Sequence, residues 1–576
     1  MAKSKKFGAF SGVFTPSVLT ILGVIMYLRL GWVVGQAGLF WTIIIILIAH
    51  VISVSTGLSV SSISTDKKVQ AGGLYYILSR SLGLPIGGAI GITLFVGTAL
   101  SIALYVIGFS ESFLDFIGMA SGYQINEQAL LEIQKNITPQ MLKTLDLASV
   151  NDIIAPLKNS LELQTVFSDQ NTYLAALKTT LKSQVAEQQF GTVQGVILAN
   201  SHAVTVNDLR LVGTATVIFV TTIAFISTSF ALKTQFFIMA AIVLSLVAIF
   251  MGNRDFAPKT PALITRPDGS DASFGMIFGI FFPAVTGFTA GVAMSGDLKD
   301  PKKNIPSGTM LAIGVGLIVY IILAIFLTFT IDPATLRNNS NILKEIAFIS
   351  PGFVLAGIWG ATLSSALGGI LGAPRILQAM SVDKITPKVF GKGVGQNNEP
   401  RNALILTFVI AEAGVLIGEL NAIAQVVSMF YLAAYGFINL SAFLESWASP
   451  DFRPTFKIPK FVSLTGFGFT MFVMIALDFT SMVVAFVIIG AIFVYLVRKQ
   501  ISLGFGDVWE GVWASVVRRG LYNIVKKETK QRNWRPNIIM FSGGEEARPH
   551  LVKFGKTLVG RLGFLSDFHL VESRSA

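Results

Sequence analysis

The chain has 576 residues, of which 52% are hydrophobic and only 13% charged, with a mean hydropathy of +0.67; soluble domains carry about a quarter charged residues, so an ordinary soluble fold is excluded. Cysteine is absent and the four histidines are scattered, which removes disulfides, thiol chemistry and Cys-based zinc sites. The formal charge of +12 does not argue for a nucleic-acid partner, because the basic residues lie between apolar runs, the pattern that orients a membrane protein.

The first run, residues 12–38, reads GVFTPSVLTILGVIMYLRLGWVVGQAG and carries the helix breakers Pro16 and Gly23 in its first half. It is too long for a signal peptide and continues without a small-residue cleavage site. Eleven further apolar stretches follow. The twelve fall near 12–36, 39–60, 84–114, 211–230, 235–252, 274–296, 309–330, 352–374, 402–419, 421–444, 461–477 and 479–498, each at or near the roughly 20 helical residues that span a bilayer. The sixth is interrupted by Pro283 and Gly287 inside FFPAVTGFTAG. Unwound backbone in a bilayer is tolerated only where it lines a cavity or is buried in protein. Two broken helices at corresponding places point to a transporter's midplane binding site.

Between the third and fourth spans, residues 115–210 are polar, with nine Asp/Glu against six Lys/Arg. LLEIQKNITPQMLKTLDL and YLAALKTTLKSQVAEQQ space their apolar residues at 3 and 4, which predicts a small, mainly helical cap. Asn136-Ile-Thr138 is an N-glycosylation sequon. With the N-terminus inside, the inner loops carry Lys67, Lys68, Arg80, Lys233, Lys299, Lys302, Lys303, Arg375, Lys384, Lys388, Lys392, Arg401, Arg453, Lys457 and Lys460. The outer loops carry only Arg254, Lys259, Arg266, Arg337 and Lys344. Together with the MAKSKK start, this predicts both termini in the cytoplasm, beside a tail at 1–11, and the cap outside. Glu412 and Glu419 fall on one face of the ninth span, where a structural role is expected. Beyond residue 500, the stretch 501–530 is amphipathic and partly basic. Residues 531–576 hold NIIMFSG and FHLVES, read as strands around a helix at the start of a cytoplasmic α/β domain that is cut short.

No nucleophile–base pair, Walker loop or metal box is present, so neither an enzyme nor a bound cofactor is expected. GAIG and GGLYY are not followed by Lys-Ser/Thr and read as close helix contacts. What remains at the breaks is neutral oxygen and amide groups. Half-helix N-termini suit an anion, and freed carbonyls with nearby hydroxyls suit an alkali cation.

GVFTPSVLTILGVIMYLRLGWVVGQAG, GGLYYILSRSLGLPIGGAIG, FFPAVTGFTAGVAMSGDLKDPKKNIPSGT and LSSALGGILGAPRILQAMSVDKITP, in this order, resemble the cation–chloride cotransporters of the amino acid–polyamine–organocation superfamily. RNWRPNIIMFSG is similar to the start of their C-terminal domain. The resemblance implies an all-α polytopic fold of the LeuT type, with 12 transmembrane helices in a 5+5 inverted repeat and helices 1 and 6 broken. It implies a scissor-like helix at 501–530, a plasma-membrane location and a homodimer.

It also implies four ion sites. Sodium would sit on the carbonyls of Leu19 and Leu22 with Ala361, Ser364 and Ser365. Potassium would sit on the carbonyls of Thr20 and Ile21 with Tyr105, Pro283 and Thr286. One chloride would rest on the amides of Gly23, Val24 and Ile25, the other on those of Gly287, Phe288 and Thr289 with the Tyr435 hydroxyl. Arg29, the one charge deep in the first span, would pair with Glu111 as an outer gate, since an intramembrane charge needs a partner.

Sodium-coupled members have the serine pair and potassium-carrying ones the third-helix tyrosine. Ser364, Ser365 and Tyr105 together therefore imply electroneutral symport of Na+, K+ and Cl− in a 1:1:2 ratio. Thr20 stands where most members have Asn, Leu22 where they have a bulky aromatic, and GAPR at 372–375 is similar to the potassium–chloride branch. Potassium–chloride symport is therefore the alternative, followed by amino acid or polyamine transport on the same fold; a transport-dead regulator or scaffold would be expected to have lost these site residues, which are intact.

Overall fold

The structure, a computed structural model, describes residues 7–66, 72–117, 122–125, 127–145, 147–160, 163–164, 170–186, 189–203, 206–226, 228–252, 261–267, 270, 272–293, 295, 298–348, 350–395, 398–449, 451–499, 508–526, 536–543, 548–560 and 563–568. The MAKSKK start, Lys67, Lys68, Arg254, Lys259 and the stretches 501–507 and 527–535 lie outside them, as does the side chain of Lys233. The chain divides into two compact units, Met1–Glu510 and Gly511–Ala576.

The first unit opens with a π-helical turn, Phe10–Phe14, and continues through α1 (Thr15–Ile21), α2 (Val24–Leu28), α3 (Leu30–Asp66), α4 (Leu74–Ser81) and α5 (Leu84–Ile117). The insert follows as β1 (Gly122–Tyr123), α6 (Glu127–Asn136), α7 (Pro139–Thr144), α8 (Asn151–Asn159), α9 (Gln170–Leu181), α10 (Phe190–Asn200) and β2 (His202–Ala203). Then come α11 (Val206–Ile226), α12 (Thr228–Phe250), α13 (Phe274–Phe281), a 3-10 turn at Phe282–Val285, α14 (Thr289–Ala293) and α15 (Pro301–Thr330). Short α16 (Pro333–Asn338) and α17 (Ile342–Glu345) lead to α18 (Pro351–Val382), α19 (Arg401–Val415), α20 (Leu420–Ala448), α21 (Lys460–Leu477) and α22 (Phe479–Arg498), and α23 (Val508–Lys526) begins at the end of this unit and falls mostly in the second.

Nine helical segments among the described residues are long and apolar enough to cross a membrane, so the protein is a helical, multi-pass membrane protein. Of the other expected spans, α12 runs for 23 residues, Phe274–Val285 is apolar but falls short of that length, and α19 has only 15 residues. The sixth span is short because its helix is interrupted, and α19 because the chain turns at Gly418, where φ is +73°. Glu419 therefore leaves the ninth helix and becomes the N-cap residue of α20, so it shares no helix face with Glu412.

Local chemistry sets the helix ends. Proline opens α15 and α18, where its missing N–H would have been unpaired anyway. Pro16 is the second residue of α1, where the π-helical turn Phe10–Phe14 passes into regular α-helix. Ser350 caps α18 through the Gly352 amide (3.1 Å), and Asp478 caps α22 through the Thr480 amide (2.9 Å). Inside α3 the helix is interrupted at Gly38 (φ 72°, ψ 174°). The amides freed there are taken up by the 261–267 segment, Leu39 N by Ala262 O (3.0 Å) and Phe40 N by Leu263 O (2.9 Å).

The main helix pairs are α15 with α3, α18 with α5 and α12, and α20 with α21 and α5. Small residues allow the close approaches: a methyl group at Gly108 would meet Val24 Cγ2, and one at Gly369 would meet Ile102. A buried polar cluster joins α3, α20 and α21. Ser59 Oγ donates to Asn439 Oδ1 (2.8 Å) and Asn439 Nδ2 to Thr56 Oγ1 (2.8 Å), with Ser463 Oγ 2.8 Å from Ser59. Such bonds join helices where apolar burial gives no driving force.

The insert has its own core, in which Ile133, Ile153, Leu157, Leu163, Tyr173, Leu177, Leu181, Val193 and Ile197 are fully buried. An antiparallel pair closes its base, with Gly122 opposite Ala203 and Tyr123 opposite His202. Tyr173 stacks on Tyr123, and burial pushes its phenol up to about 12.

In the second unit, β3 (Asn537–Met540) and β4 (Phe564–Asp567) pair in parallel, with α24 (Pro549–Val559) between them in sequence. The second strand is FLSD; of the expected FHLVES strand, all but Phe568 lies outside the described residues. Ser542 Oγ donates to Asp567 Oδ2 (2.6 Å).

Two glycines test this packing. A methyl group at Gly287 would lie 2.7 Å from the Ile21 amide and 2.8 Å from the Thr20 carbonyl carbon, backbone atoms that cannot swing away. Gly287→Ala is expected to destabilise by about 1–3 kcal/mol through overpacking, read as a lowered melting temperature in detergent. Gly38→Ala places a β-carbon in a backbone region essentially restricted to glycine, for about 1–3 kcal/mol; it should lower the melting temperature, and an unchanged value would mean that the kink relaxes.

Candidate functional site

The last carbonyls of a helix have no intrahelical partner. α1 ends as Leu22 N bonds Val18 O (2.8 Å), and Gly23 then turns to extended backbone (φ −98°, ψ −150°). Among the described residues no backbone amide bonds the carbonyls of Leu19, Thr20 or Leu22 across this break. The Ile21 carbonyl accepts the Tyr320 hydroxyl (2.6 Å). On the other side, the amide of Gly23 has no backbone acceptor, and Val24 and Ile25 supply the first amides of α2, which a helix leaves without an intrahelical partner.

The second break falls at Thr286–Phe288, after the 3-10 turn and before α14. Pro283 starts that turn. Its carbonyl accepts both the Thr286 amide (3.3 Å) and the Thr286 hydroxyl (2.8 Å), so both lone pairs are used in this conformation. The Tyr435 hydroxyl donates to Thr286 O (2.9 Å), so its proton does not face the amides of Gly287 and Phe288. Those two amides donate to no backbone group, and Thr289 N makes only a long bond to Thr286 O (3.4 Å).

The two breaks cross. Gly287 packs directly on Thr20 and Ile21, Ser17 Oγ donates to Phe288 O (3.1 Å), and Ser53 Oγ donates to Val285 O (2.9 Å). Beside the crossing is a cavity with an interior of about 60 Å³ for water-sized occupants, room for several waters or dehydrated ions at roughly 10–15 Å³ each. Thr20, Tyr105, Thr286, Gly287, Thr289 and Ser365 line it, and among the described residues no charged side chain does. Ser365 is 3% exposed, and its hydroxyl has no hydrogen-bond partner; such a group is costly to bury unless something occupies it.

The other expected ligands do not line this cavity. Leu19, Ile21, Leu22, Gly23, Val24, Ile25, Pro283, Phe288 and Tyr435 belong to the surrounding crossing, while Ala361 and Ser364 lie on α18. Thr98, Ser101 and Tyr431 line it and were not expected. Thr98, Ser101 and Tyr105 follow the i, i+3, i+7 spacing of one helix face, a signal the sequence does contain. Nothing in the sequence marks Tyr320.

At one end of the bundle, Arg29 Nη2 lies 2.9 Å from Glu111 Oε1 and 3.1 Å from Oε2, while Arg29 Nε donates to Asn421 Oδ1 (2.7 Å). The ion pair is 12% and 23% exposed. Lys344 pairs with Asp115 near the end of the same helix, α5. Towards α4 the cavity reaches Gly72, Gly73 and Leu74. There Arg80 forks onto Asp383 (2.9 Å to each oxygen), which also accepts the Tyr75 hydroxyl (2.5 Å); burial, and then this carboxylate, push the Tyr75 phenol upward. Glu412 accepts the Thr214 hydroxyl (2.5 Å), bonding α19 to α11.

The sequence pattern of the amino acid permease family matches residues 12–535. The chain is 32% identical over 589 residues to human solute carrier family 12 member 1, covering 95% of this chain and 48% of that protein. It is 28% identical over 619 residues to mouse solute carrier family 12 member 2 (98% and 45%), and 30% identical over 606 residues to member 2 of Squalus acanthias (98% and 45%). It thus spans about half the length of these relatives, which are transporters and not enzymes. The chain belongs to the amino acid permease family and is homologous, along nearly all of its length, to the cation–chloride cotransporters of solute carrier family 12.

Proposed function

We propose that the protein is a secondary active, electroneutral symporter of Na+, K+ and Cl−, in a 1:1:2 ratio, working by alternating access. The observation that carries this reading is an uncharged cavity beside two crossed helix breaks. Freed carbonyls and hydroxyls supply oxygen ligands for alkali cations. Open amides at the starts of α2 and of the segment leading into α14 supply donors for anions. With no carboxylate among the described residues lining the cavity, bound cations need counter-ions, because a net charge at the bilayer midplane is expensive. One sodium, one potassium and two chlorides sum to zero.

In this reading Ser365, with Ser364, Ala361 and the carbonyls of Leu19 and Leu22, holds sodium. Thr20, Ile21, Tyr105, Pro283 and Thr286 hold potassium. The amides of Gly23, Val24 and Ile25 hold one chloride, and those of Gly287, Phe288 and Thr289, with Tyr435, hold the other. The chain forms a LeuT-type bundle of 12 spans in a 5+5 inverted repeat. It is homodimeric, resides in the plasma membrane and has both termini in the cytoplasm. The Arg29–Glu111 pair closes the outer path, and the cavity end at Gly72–Leu74 faces inward. Potassium–chloride symport is the second reading, favoured by Ser364 lying off the cavity. The absence of an acidic group from the described lining disfavours a polyamine, whose several charged amines would be buried without carboxylate partners.

Rubidium uptake into liposomes tests the reading. Removing either sodium or chloride should abolish uptake, and Ser364→Ala/Ser365→Ala should lower it by about tenfold or more, on the scale of a lost ion-ligating hydroxyl. Uptake that needs chloride but ignores sodium establishes the potassium–chloride symporter instead. Uptake accompanied by a substrate-dependent current overturns electroneutrality.

The outer closure has its own test. The chain has no cysteine, so Ser101→Cys gives a single label in the cavity. An impermeant maleimide added outside should leave this variant unlabelled and should label it once Glu111→Gln removes the partner of Arg29. Equal labelling with and without Glu111→Gln would show that the pair closes nothing.

A further inference from the structure

We infer that Tyr320 is a positioning residue for the cation at the first helix break. It fixes the Ile21 carbonyl, and so sets potassium affinity without lining the cavity. This rests on the potassium site proposed above.

Tyr320 lies in α15, fully buried. Its hydroxyl donates to the Ile21 carbonyl at 2.6 Å. The same peptide unit is held at its other end, where Leu22 N bonds Val18 O at 2.8 Å. The Ile21–Leu22 peptide is thus pinned on both sides at the point where regular helical bonding stops. A second contact from the same helix fixes the approach. One turn earlier, Gly316 leaves room for Ile21, since a β-carbon there would lie 2.6 Å from Ile21 Cγ2. α15 therefore holds both the side chain and the carbonyl of one residue in the unwound segment.

The ring of Tyr320 is itself fixed. Phe281 of α13 meets it edge-on at 5.3 Å and His50 of α3 at 6.3 Å. His50 is anchored through Nδ1, 2.8 Å from Ile46 O. The phenol is thus set by elements on both sides of the crossing: α13, which leads into the second break, and α3, which follows the first.

A backbone carbonyl has two lone pairs. Tyr320 occupies one and leaves the other for a cation. Without the phenol, the carbonyl would have no fixed direction, in a region without water to replace the bond. Loss of orientation then outweighs release of the lone pair, because an alkali cation needs several oxygens placed together before it gives up its water shell.

Tyr320→Phe keeps the ring and its two edge contacts and removes only the hydroxyl. In liposomes, with sodium and chloride saturating, it should raise the half-saturating rubidium concentration by about three- to tenfold. The half-saturating concentrations of sodium and chloride, each measured with the other ions saturating, should move less than twofold, by roughly the size of a small indirect effect. An unchanged rubidium value overturns the inference and leaves the symport reading intact, as does a parallel shift of all three ions, which marks general loosening. Absence of rubidium uptake by the wild type removes the symport reading and this inference with it. If the variant does not transport, the rubidium-induced rise in melting temperature of purified protein reads the same site. A rise equal to that of the wild type overturns the inference, and a diminished rise supports it while the sodium-induced rise persists.

Discussion

A bilayer supplies no water to an interrupted helix, and the centre of this protein is organised around that constraint. Two helices stop at its middle, and each interruption leaves polar backbone that must find partners inside the protein. Side chains from other helices supply several of them: Tyr320 bonds Ile21 O, Tyr435 bonds Thr286 O, Ser53 bonds Val285 O and Ser17 bonds Phe288 O. These donors come from α15, α20, α3 and α1, so the crossing is tied to much of the bundle. The groups without partners, the carbonyls of Leu19, Thr20 and Leu22 and the amides of Gly23 and Gly287–Phe288, are those left for a ligand.

Charge is distributed in a complementary way. Among the described residues the cavity is lined by neutral groups, while ion pairs stand away from it, Arg29 with Glu111 towards one end and Arg80 with Asp383 towards the other. A fixed carboxylate in the cavity would hold one cation in place and resist its release. Neutral ligands leave the ions to balance one another, which in the proposed cycle couples cation and anion binding.

Much of this was legible in the sequence because membrane insertion writes itself into composition. Apolar length marked the spans, and glycine within an apolar run marked both interruptions. Proline was the less reliable sign. Pro16 lies where a π-helical turn passes into α1 and Pro283 starts a 3-10 turn, whereas Gly23 and the Gly287 crossing sit where the backbone departs from the helix. The Glu412–Glu419 face failed for a related reason: the turn at Gly418 ends α19 first.

By itself the sequence determined that this is a multi-pass helical membrane protein, which family it belongs to, and where two of its helices are interrupted; all three follow from local composition and motif order. Only the tertiary structure decided which polar groups at the interruptions are spent and which remain open. Pro283 O has both lone pairs occupied, Ser365 Oγ has no partner, and Tyr320 reaches Ile21 from a residue 299 positions away. Whether a carbonyl or hydroxyl is free depends on what packs against it, and packing partners so distant in the chain leave no mark on its local pattern.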